Sequence, residues 1–291
     1  MNKRKGIIMA GGAGTRLHPI TMGISKQLLP IYDKPMIFYP LSVLMLSGIR
    51  EIAIITTPKD QEQFITMLGD GSQWGVSFTY IKQPSPDGLA QAYTLTENFL
   101  AGAPSAMILG DNIFHGHRFQ EALALAQEKE VGGTVFGYRV LDPERYGVVE
   151  FNRDGKAISI IEKPEKPASD YAVTGLYFLD GSATDRARNL TPSARGEIEI
   201  TTLLQSYLRD DLLSVKVLGR GFAWLDTGTH VSLLKAGDFI RTLQTRQGLQ
   251  LGCPEEIAFN NGWINAEELE KRASLFSKNS YGKYLQSILK Q

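Results

Sequence analysis

The chain has little cysteine, little histidine and no surplus of charge of either sign. Cys253 is its single cysteine, so no internal disulfide can form and nothing indicates an oxidising compartment. The 31 basic and 31 acidic residues balance each other. A protein that coats duplex nucleic acid needs a basic excess for its phosphate contacts, so this balance argues against a nucleic-acid partner. It does not argue against a small anionic substrate, which needs only a few local cations.

Long hydrophobic runs are also absent, and none approaches the length of a membrane span. The opening residues 1–5, of which the last three are basic, precede an apolar stretch that glycines and Arg16 interrupt. This stretch is too short for a secretory signal. We therefore expect a cytoplasmic protein without a membrane partner. The 291 residues, 43% of them hydrophobic, suffice for one large α/β domain or for a domain with an appendage.

In the first half of the chain, short apolar runs alternate with amphipathic segments. The predicted strands are residues 6–10, 52–56 and 106–110, and the predicted helices between them are residues 37–47, 59–68 and 89–99. This alternation favours a parallel sheet with helices on both of its faces.

The pattern changes after Gly132, where strand-like segments follow one another with turn signals between some of them. These segments are residues 134–140, 147–151, 157–161 and 173–179. They predict a mixed or antiparallel addition to the sheet. From residue 229 the pattern is mostly helical, with a last short helix at 281–289. The simplest architecture is one compact core, residues 1–228, with a helical C-terminal extension, residues 229–291.

A glycine-rich turn follows the first predicted strand. Gly11, Gly12 and Gly14 let the backbone turn tightly and bring its N–H groups against a bulky anion. Leu17 stands where a dinucleotide fingerprint needs a third glycine or alanine, and the chain has no Walker A sequence. The glycines alone fit an ordinary structural turn equally well. Arg16 beside them favours a triphosphate site, to which Lys26 would add a second cation.

Two aspartates each follow an apolar stretch, Asp111 after residues 107–110 and Asp226 after residues 222–225. A carboxylate at the C-terminal end of a strand lies where open α/β sheets bind ligands. For either residue alone, a turn or helix cap is the more common role. His115 and His117 are predicted to be loop residues near the site, because two histidines without further partners make a poor metal site.

The motifs together resemble those of the sugar-1-phosphate nucleotidyltransferases, in order and at family spacing. They lie at residues 11–17, 26–30, 83–92, 109–112, 146–149, 162–164, 173–177 and 224–228. The resemblance covers nearly the whole chain and implies a Rossmann-like three-layer α/β/α core with a mixed, largely parallel sheet. It also implies a nucleotide half at about 1–115 and a sugar-phosphate half at about 116–228.

Within the family, the chain is most similar to the members that transfer a dTMP group from dTTP to glucose 1-phosphate, the first step of dTDP-L-rhamnose synthesis. The sugar phosphate is already an anion at neutral pH, so attack on the α-phosphorus needs no general base. A UTP-using enzyme and a catalytically silent nucleotide-sugar binder are the alternatives. A nicotinamide oxidoreductase is disfavoured by Leu17.

The resemblance also assigns roles to individual residues. Arg16, Lys26 and Lys163 are the expected catalytic cations, and Asp111 and Asp226 are the expected Mg²⁺ ligands. Carboxylate oxygens without a Cys or His cluster favour Mg²⁺ over zinc. The nucleotide site is expected at Ala10, Gly11, Gly12, Gly14, Thr15, Arg16, Lys26, Gln83, Pro86, Gly88 and Asp111. The sugar-phosphate site is expected at Leu89, Leu109, Tyr146, Gly147, Glu162, Lys163, Val173 and Trp224.

Enzymes of this family are typically homotetramers with a second nucleotide-sugar site, which implies feedback inhibition by dTDP-L-rhamnose. Gly219, Arg220, Cys253, Glu256 and Ile257 resemble parts of that site. Relatives usually carry an arginine where this chain has Asn260, so we expect a weaker regulatory site. Alternatively, the C-terminal helices only pack against the core or form a subunit interface.

Overall fold

The structure is a computed structural model that describes residues 3–12 and 14–290. Ala13, in the glycine-rich turn, lies outside the described residues. The strands are β1 (Lys5–Ala10), β2 (Pro30–Ile31), β3 (Lys34–Pro35), β4 (Glu51–Thr56), β5 (Ser77–Lys82), β6 (Ser105–Leu109), β7 (Asn112–Gly116), β8 (Gly133–Arg139), β9 (Gly147–Phe151), β10 (Ala157–Glu162), β11 (Tyr171–Leu179), β12 (Leu213–Leu218) and β13 (Phe222–Asp226). The α-helices are α1 (Phe38–Leu46), α2 (Gln61–Leu68), α3 (Gln91–Leu95), α4 (Glu97–Leu100), α5 (Phe119–Glu128), α6 (Ala183–Arg188), α7 (Ile200–Arg209), α8 (His230–Gln247), α9 (Pro254–Asn260), α10 (Ala266–Leu275) and α11 (Ser280–Ile288).

A central sheet organises the described part of the chain, and β1 lies in its middle. In the order β10-β9-β11-β6-β1-β4-β5, strand β1 pairs in parallel with β4 and β6, and β4 pairs in parallel with β5. Successive side chains of β1 enter different cores: Ile8 packs with α1 and α2, whereas Ile7 packs with α3 and α7. A strand covered on both faces reads as a nearly continuous apolar run, as β1 does after its first residue, Lys5. The predicted parallel sheet between two helical layers is confirmed.

The second half of the sheet is mixed, as the strand-like segments after Gly132 predict. Strand β11 pairs antiparallel with β6, β8 and β9, while β12 runs parallel to β8. The helical segment predicted at 89–99 is present as two short helices, α3 and α4. The buried Thr96 separates them, and its hydroxyl donates to the Ala92 carbonyl at 2.7 Å, a bond that competes with regular helix geometry.

Strands β7 and β13 form a separate antiparallel ribbon, in which Asp226 lies opposite Asn112 and Phe222 opposite Gly116. The Phe222 ring packs on Gly116 so closely that a Cβ atom there would lie 2.4 Å from it. The pairing therefore places Asp226 and Asp111, the residue before Asn112, at the same end of the ribbon.

The predicted helical C-terminal region is confirmed, while the domain boundary at residue 228 stays a prediction. Thr229 begins α8 with a capping box, in which its side chain accepts from the Ser232 N–H. Helix α9 packs on α1 and places the fully buried Glu255 within 2.9 Å of Arg272. In the described part of the chain, each helix is too short or too polar to cross a membrane.

Candidate active site

The carboxyl ends of β1 and β6, one end of the β7–β13 ribbon and the loops beside them enclose a cavity of about 500 Å³. Most of the predicted site residues line it: Gly12, Gly14, Thr15, Arg16, Lys26, Leu89, Leu109, Asp111, Tyr146, Gly147, Glu162, Lys163, Val173, Trp224 and Asp226. The structure thus brings the glycine-rich turn, the two aspartates and the predicted sugar residues to one place, although their roles stay predictions.

The glycine-rich turn forms one wall of the cavity. Gly14 has a φ of 63°, a left-handed conformation that favours glycine, and its carbonyl accepts from the Thr21 hydroxyl at 2.7 Å. Leaving aside the chain neighbours of Gly12, no described atom lies within 4 Å of a Cβ built there. The open backbone at Gly12 and the exposed guanidinium of Arg16 therefore face a space that an anion can enter.

Lys26 and Asp111 form an ion pair inside the cavity. The Nζ of Lys26 lies 2.5 Å from the Oδ2 of Asp111, and the two side chains are 9% and 24% exposed. The amide of Asn112 donates to the other Asp111 oxygen at 2.9 Å. The carboxylate is thereby oriented from both sides.

Asp226 approaches Asp111 from the other strand of the ribbon. Thr227, the next residue, donates its hydroxyl to the Asp111 carbonyl at 2.9 Å and ties the two chain segments together. Burial raises the pKa of Asp226, and the negative charge of Asp111 raises it further. A cation between the carboxylates would relieve both effects.

The donor set fits Mg²⁺. This ion commonly takes one or two protein carboxylates and completes its shell with water and substrate phosphates. The described residues contain no group of three or more His, Cys, Asp or Glu that could hold a metal without such help. Asp111 and Asp226 therefore suit an ion that binds together with phosphate groups.

The predicted sugar residues line the same cavity. The rings of Tyr146 and Trp224 lie 5.2 Å apart, and the Trp224 indole donates to the Asn112 Oδ1 at 2.6 Å. The Nζ of Lys163 lies 3.5 Å from the Glu162 carboxylate. The acid predicted to bind sugar hydroxyl groups and the cation predicted to bind the sugar phosphate are thus adjacent.

The predicted nucleotide residues Ala10, Gly11, Gln83, Pro86 and Gly88 do not line this cavity among the residues described. Gln83 nevertheless packs on Gly11, where a Cβ would lie 2.1 Å from the Gln83 Oε1. The buried Gln83 amide donates to the Gln91 Oε1 at 2.7 Å. This amide pair places hydrogen-bonding groups beside the glycine-rich turn.

Gly88 is required by the chain itself. Its φ is 116°, and a Cβ there would lie 2.4 Å from the carbonyl oxygen of Ile198. The Ile198 backbone therefore already fills the space where a side chain of residue 88 would lie. A nucleotide base that approaches Gly88, as expected from the sequence, cannot use that space.

Sequence reasoning missed two arginines of this region. Arg145 lines the cavity with its Nη2 3.6 Å from the Asp226 carboxylate. Arg195 lies 3.7 Å from Glu162 and is also held by Glu199. The position of Arg145 directly before Tyr146 is the signal that could have found it, whereas for Arg195 only the fold supplies one.

A second cavity, of about 690 Å³, lies at the other end of the ribbon. Cys253, Glu256 and Ile257 line it together with Asn260, as the resemblance implies. Burial raises the pKa of Glu256, whose carboxylate accepts from the Tyr284 hydroxyl at 2.8 Å. Gly219 and Arg220 are not among the described residues that line it, because they lie in the turn between β12 and β13.

The histidine prediction is wrong for His115, which belongs to strand β7, whereas His117 lies in the turn after this strand, as predicted. Both side chains line the second cavity and are not among the described residues that line the candidate active site. Strand β7 begins directly after Asp111 and includes His115. The sequence pattern did not reveal this strand.

Known proteins resemble this chain over most of its length. The family profile described as Nucleotidyl transferase matches residues 5–242. The chain belongs to the nucleotidyl transferase family. It is therefore an enzyme of the nucleotidyltransferase class.

Three relatives show the extent of the likeness. The chain is 63% identical to a glucose-1-phosphate thymidylyltransferase of Xanthomonas campestris pv. campestris strain B100, over 100% of this chain and 99% of that protein. A Bacillus anthracis crystal structure, provisionally named as the same enzyme and bound to sucrose, is 42% identical with a TM-score of 0.75, covering 82% of this chain and 95% of that one. A structure of UDP-glucose pyrophosphorylase with UDP-glucose is 25% identical with a TM-score of 0.73, covering 83% and 100%.

Proposed function

We propose that the chain transfers a dTMP group from dTTP to glucose 1-phosphate in the presence of Mg²⁺, which yields dTDP-glucose and pyrophosphate. The observation that carries this proposal is the composition of one cavity. Asp111 and Asp226 line it together with the glycine-rich turn, with Arg16 and Lys26, and with Glu162 and Lys163. The name of the Xanthomonas relative supports the choice of substrates.

The protein's main task in this reaction is to bring two anions together. Unit charges about 4 Å apart repel by roughly 4 kcal/mol at an effective dielectric constant near 20, so the barrier is lowered mainly by positioning and charge neutralisation. Arg16 and Lys26 hold the triphosphate and stabilise the departing pyrophosphate. Lys163 holds the phosphate of the sugar, with Arg195 as a further cation near it.

Asp111 and Asp226 would hold the Mg²⁺ ion. When bound, the ion supplies positive charge to the phosphate oxygens and helps to orient them. Thr227 and Asn112 prepare this site by fixing the Asp111 main chain and side chain.

Base and sugar are read at opposite ends of the site. The side-chain amides of Gln83 and Gln91 are hydrogen-bonded to each other, and an amide carries both a donor and an acceptor. This combination suits the hydrogen-bonding edge of thymine or uracil. At the other end, Glu162 accepts hydrogen bonds from the hydroxyl groups of the sugar, while Tyr146 and Trp224 pack against the sugar ring.

Two alternatives have a specific basis. The UDP-glucose pyrophosphorylase structure favours UTP as a second candidate donor, because the same fold holds its product. A silent nucleotide-sugar binder would not need Lys26, Asp111, Asp226 and Lys163 in one cavity, so the presence of all four charges there favours catalysis.

The remaining parts of the proposal concern the enzyme's setting. It would act in the cytoplasm as a homotetramer, in the first step of dTDP-L-rhamnose synthesis, and would be inhibited by that end product. The second cavity supports the inhibition, because it is lined by polar groups that include Arg118 and Asn260. Asn260 lacks the positive charge that would strengthen a pyrophosphate contact, so inhibition is expected to be weak.

Asn260→Arg should tighten inhibition by dTDP-L-rhamnose, and an unchanged inhibition curve would refute this role of the second cavity.

The first experiment is to measure pyrophosphate release with glucose 1-phosphate and Mg²⁺ against dTTP, UTP, CTP, ATP and GTP in parallel. The proposal expects dTTP to be the best donor and chelation of the metal to stop release. Faster release with UTP would select the uridylyltransferase alternative. A folded sample that releases no pyrophosphate with any donor would favour the silent binder.

A further inference from the structure

Each aspartate of the cavity already has a cation of the protein beside it. Lys26 pairs with Asp111 at 2.5 Å, and Arg145 lies 3.6 Å from Asp226. A metal ion that uses both carboxylates must therefore compete with both side chains, because a carboxylate whose charge is already paired with an ammonium or guanidinium group attracts the ion less strongly.

The two cations differ in their freedom to move. The Lys26 side chain is 9% exposed and is packed within the cavity wall, whereas the Arg145 side chain is 45% exposed at its rim. Arg145 is also shared. Its Nη1 donates to the Asp142 carboxylate at 2.6 Å, while its Nη2 faces Asp226. The guanidinium can thus leave Asp226 and stay attached through Asp142.

We propose that Arg145 is an exchangeable counter-ion: it neutralises Asp226 in the metal-free enzyme and turns to the phosphates that enter with the metal. This inference rests on the proposed function, because it assigns the metal to Asp111 and Asp226. The planar guanidinium suits phosphate oxygens, and it lies in the same cavity as Arg16 and Lys163.

The exchange gives Arg145 opposite effects on two binding steps. It opposes binding of a metal ion alone, since the ion must displace it from Asp226. It favours binding of the nucleotide with the metal, since the released guanidinium gains an anionic partner. A residue that only repels cations or only supports the fold would not produce this change of sign.

The test uses Arg145→Met and the full-length protein. Binding of Mn²⁺ alone is measured by electron paramagnetic resonance, and binding of dTTP at saturating Mn²⁺ is measured by calorimetry without sugar phosphate, so that no turnover occurs. We expect the variant to bind Mn²⁺ alone about 2- to 5-fold more tightly and dTTP with Mn²⁺ about 3- to 10-fold more weakly.

Two further variants make the result specific. Arg139→Met removes an exposed arginine that pairs with Asp170 and does not line the cavity among the described residues, so both affinities should stay as in the parent. Asp142→Asn leaves Arg145 with Asp226 alone and should weaken Mn²⁺ binding. That effect should disappear when Arg145→Met is also present, because the two residues act through one contact.

The outcomes separate the inference from the function on which it rests. Affinities that shift in the same direction for Mn²⁺ and for dTTP, or that do not shift, would overturn the exchange while leaving the metal site intact. If Asp226→Asn binds Mn²⁺ and dTTP as well as the parent chain does, the metal assignment itself fails.

Discussion

Thr227 donates its hydroxyl to the carbonyl oxygen of Asp111 at 2.9 Å, across 116 residues of sequence. This contact joins the ends of two strands whose carboxylates, Asp111 and Asp226, share the candidate metal site. The Thr227 contact and the main-chain pairing of the β7–β13 ribbon therefore both hold the two acids next to each other.

Lys26→Met should lower turnover by about 10²–10³-fold, because a preorganised cation that holds the triphosphate would be lost. Asp111 would then lose the ammonium group that lies 2.5 Å from it, so the affinity of the variant for a divalent metal should also differ from that of the parent. Steady-state rates of pyrophosphate release at saturating substrate give the measurement. Lys156→Met, which removes an exposed lysine paired with Asp211, serves as the control and should retain the parental rate.

Gly88→Ala and Gly12→Ala form a matched pair with opposite consequences. At Gly88 the new methyl group would lie 2.4 Å from the Ile198 carbonyl oxygen at a φ of 116°, and we expect a loss of about 2–3 kcal/mol in the free energy of unfolding. At Gly12 it would enter open space beside the predicted phosphate site, so stability should change little while the KM for the nucleotide rises. Urea titrations with parallel kinetics distinguish the two, and equal destabilisation would contradict the description of the turn.

Asp180→Asn should make the fold less stable at neutral pH. Burial alone would raise the pKa of Asp180, but hydrogen bonds from Ser182, Gly132 and Tyr207 outweigh it and lower the pKa below its ordinary value. A lowered folded-state pKa stabilises the fold above the unfolded-state pKa, and this stabilisation is lost as the pH falls through the folded-state value. We expect a difference of about 1–2 kcal/mol at pH 7 that shrinks toward pH 3. Urea unfolding of both proteins across this range provides the check, and a difference that does not depend on pH would count against the charge.

Cys253 should resist thiol reagents in the folded protein. Burial raises the pKa of its thiol, and the charge of Glu255 raises it further, so almost no thiolate exists at neutral pH. Its sulfur lies 3.3 Å from the Tyr281 hydroxyl. Labelling with a chromogenic disulfide should be at least about 100-fold slower in buffer than in denaturant. Rapid labelling of the native protein would show that the second cavity opens as far as the sulfur.

The apolar runs of β1, β4 and β6 predicted the parallel centre of the sheet, because strands covered on both faces are apolar over most of their length. The same reasoning could not find β5, whose exposed and half-buried side chains carry a weaker pattern at the edge of the sheet. It also joined α3 and α4, since the bond from Thr96 to the Ala92 carbonyl leaves no trace in hydrophobic spacing.

The candidate site divides in the same way. Motif resemblance named the residues with charges in the cavity, such as Lys26 and Asp111, because their chemistry is tied to short local patterns. Arg145 escaped because its meaning depends on Asp226, 81 positions later, and only the fold brings them together. The turn with Gly219 shows the reverse case, in which a local likeness did not imply a place in the second cavity.

The β7–β13 ribbon is short, and in the described part of the chain it pairs with neither edge of the nine-stranded sheet. Asn112 and Asp226 form one end, beside the candidate active site, and Gly116 and Phe222 form the other end, beside the second cavity. Four residue steps, about 13 Å, separate the ends. A larger side chain at Gly116 should therefore also shift the position of Asp226 at the far end of the ribbon. We expect the residues at the two ends to vary together among natural sequences, as if they belonged to one site.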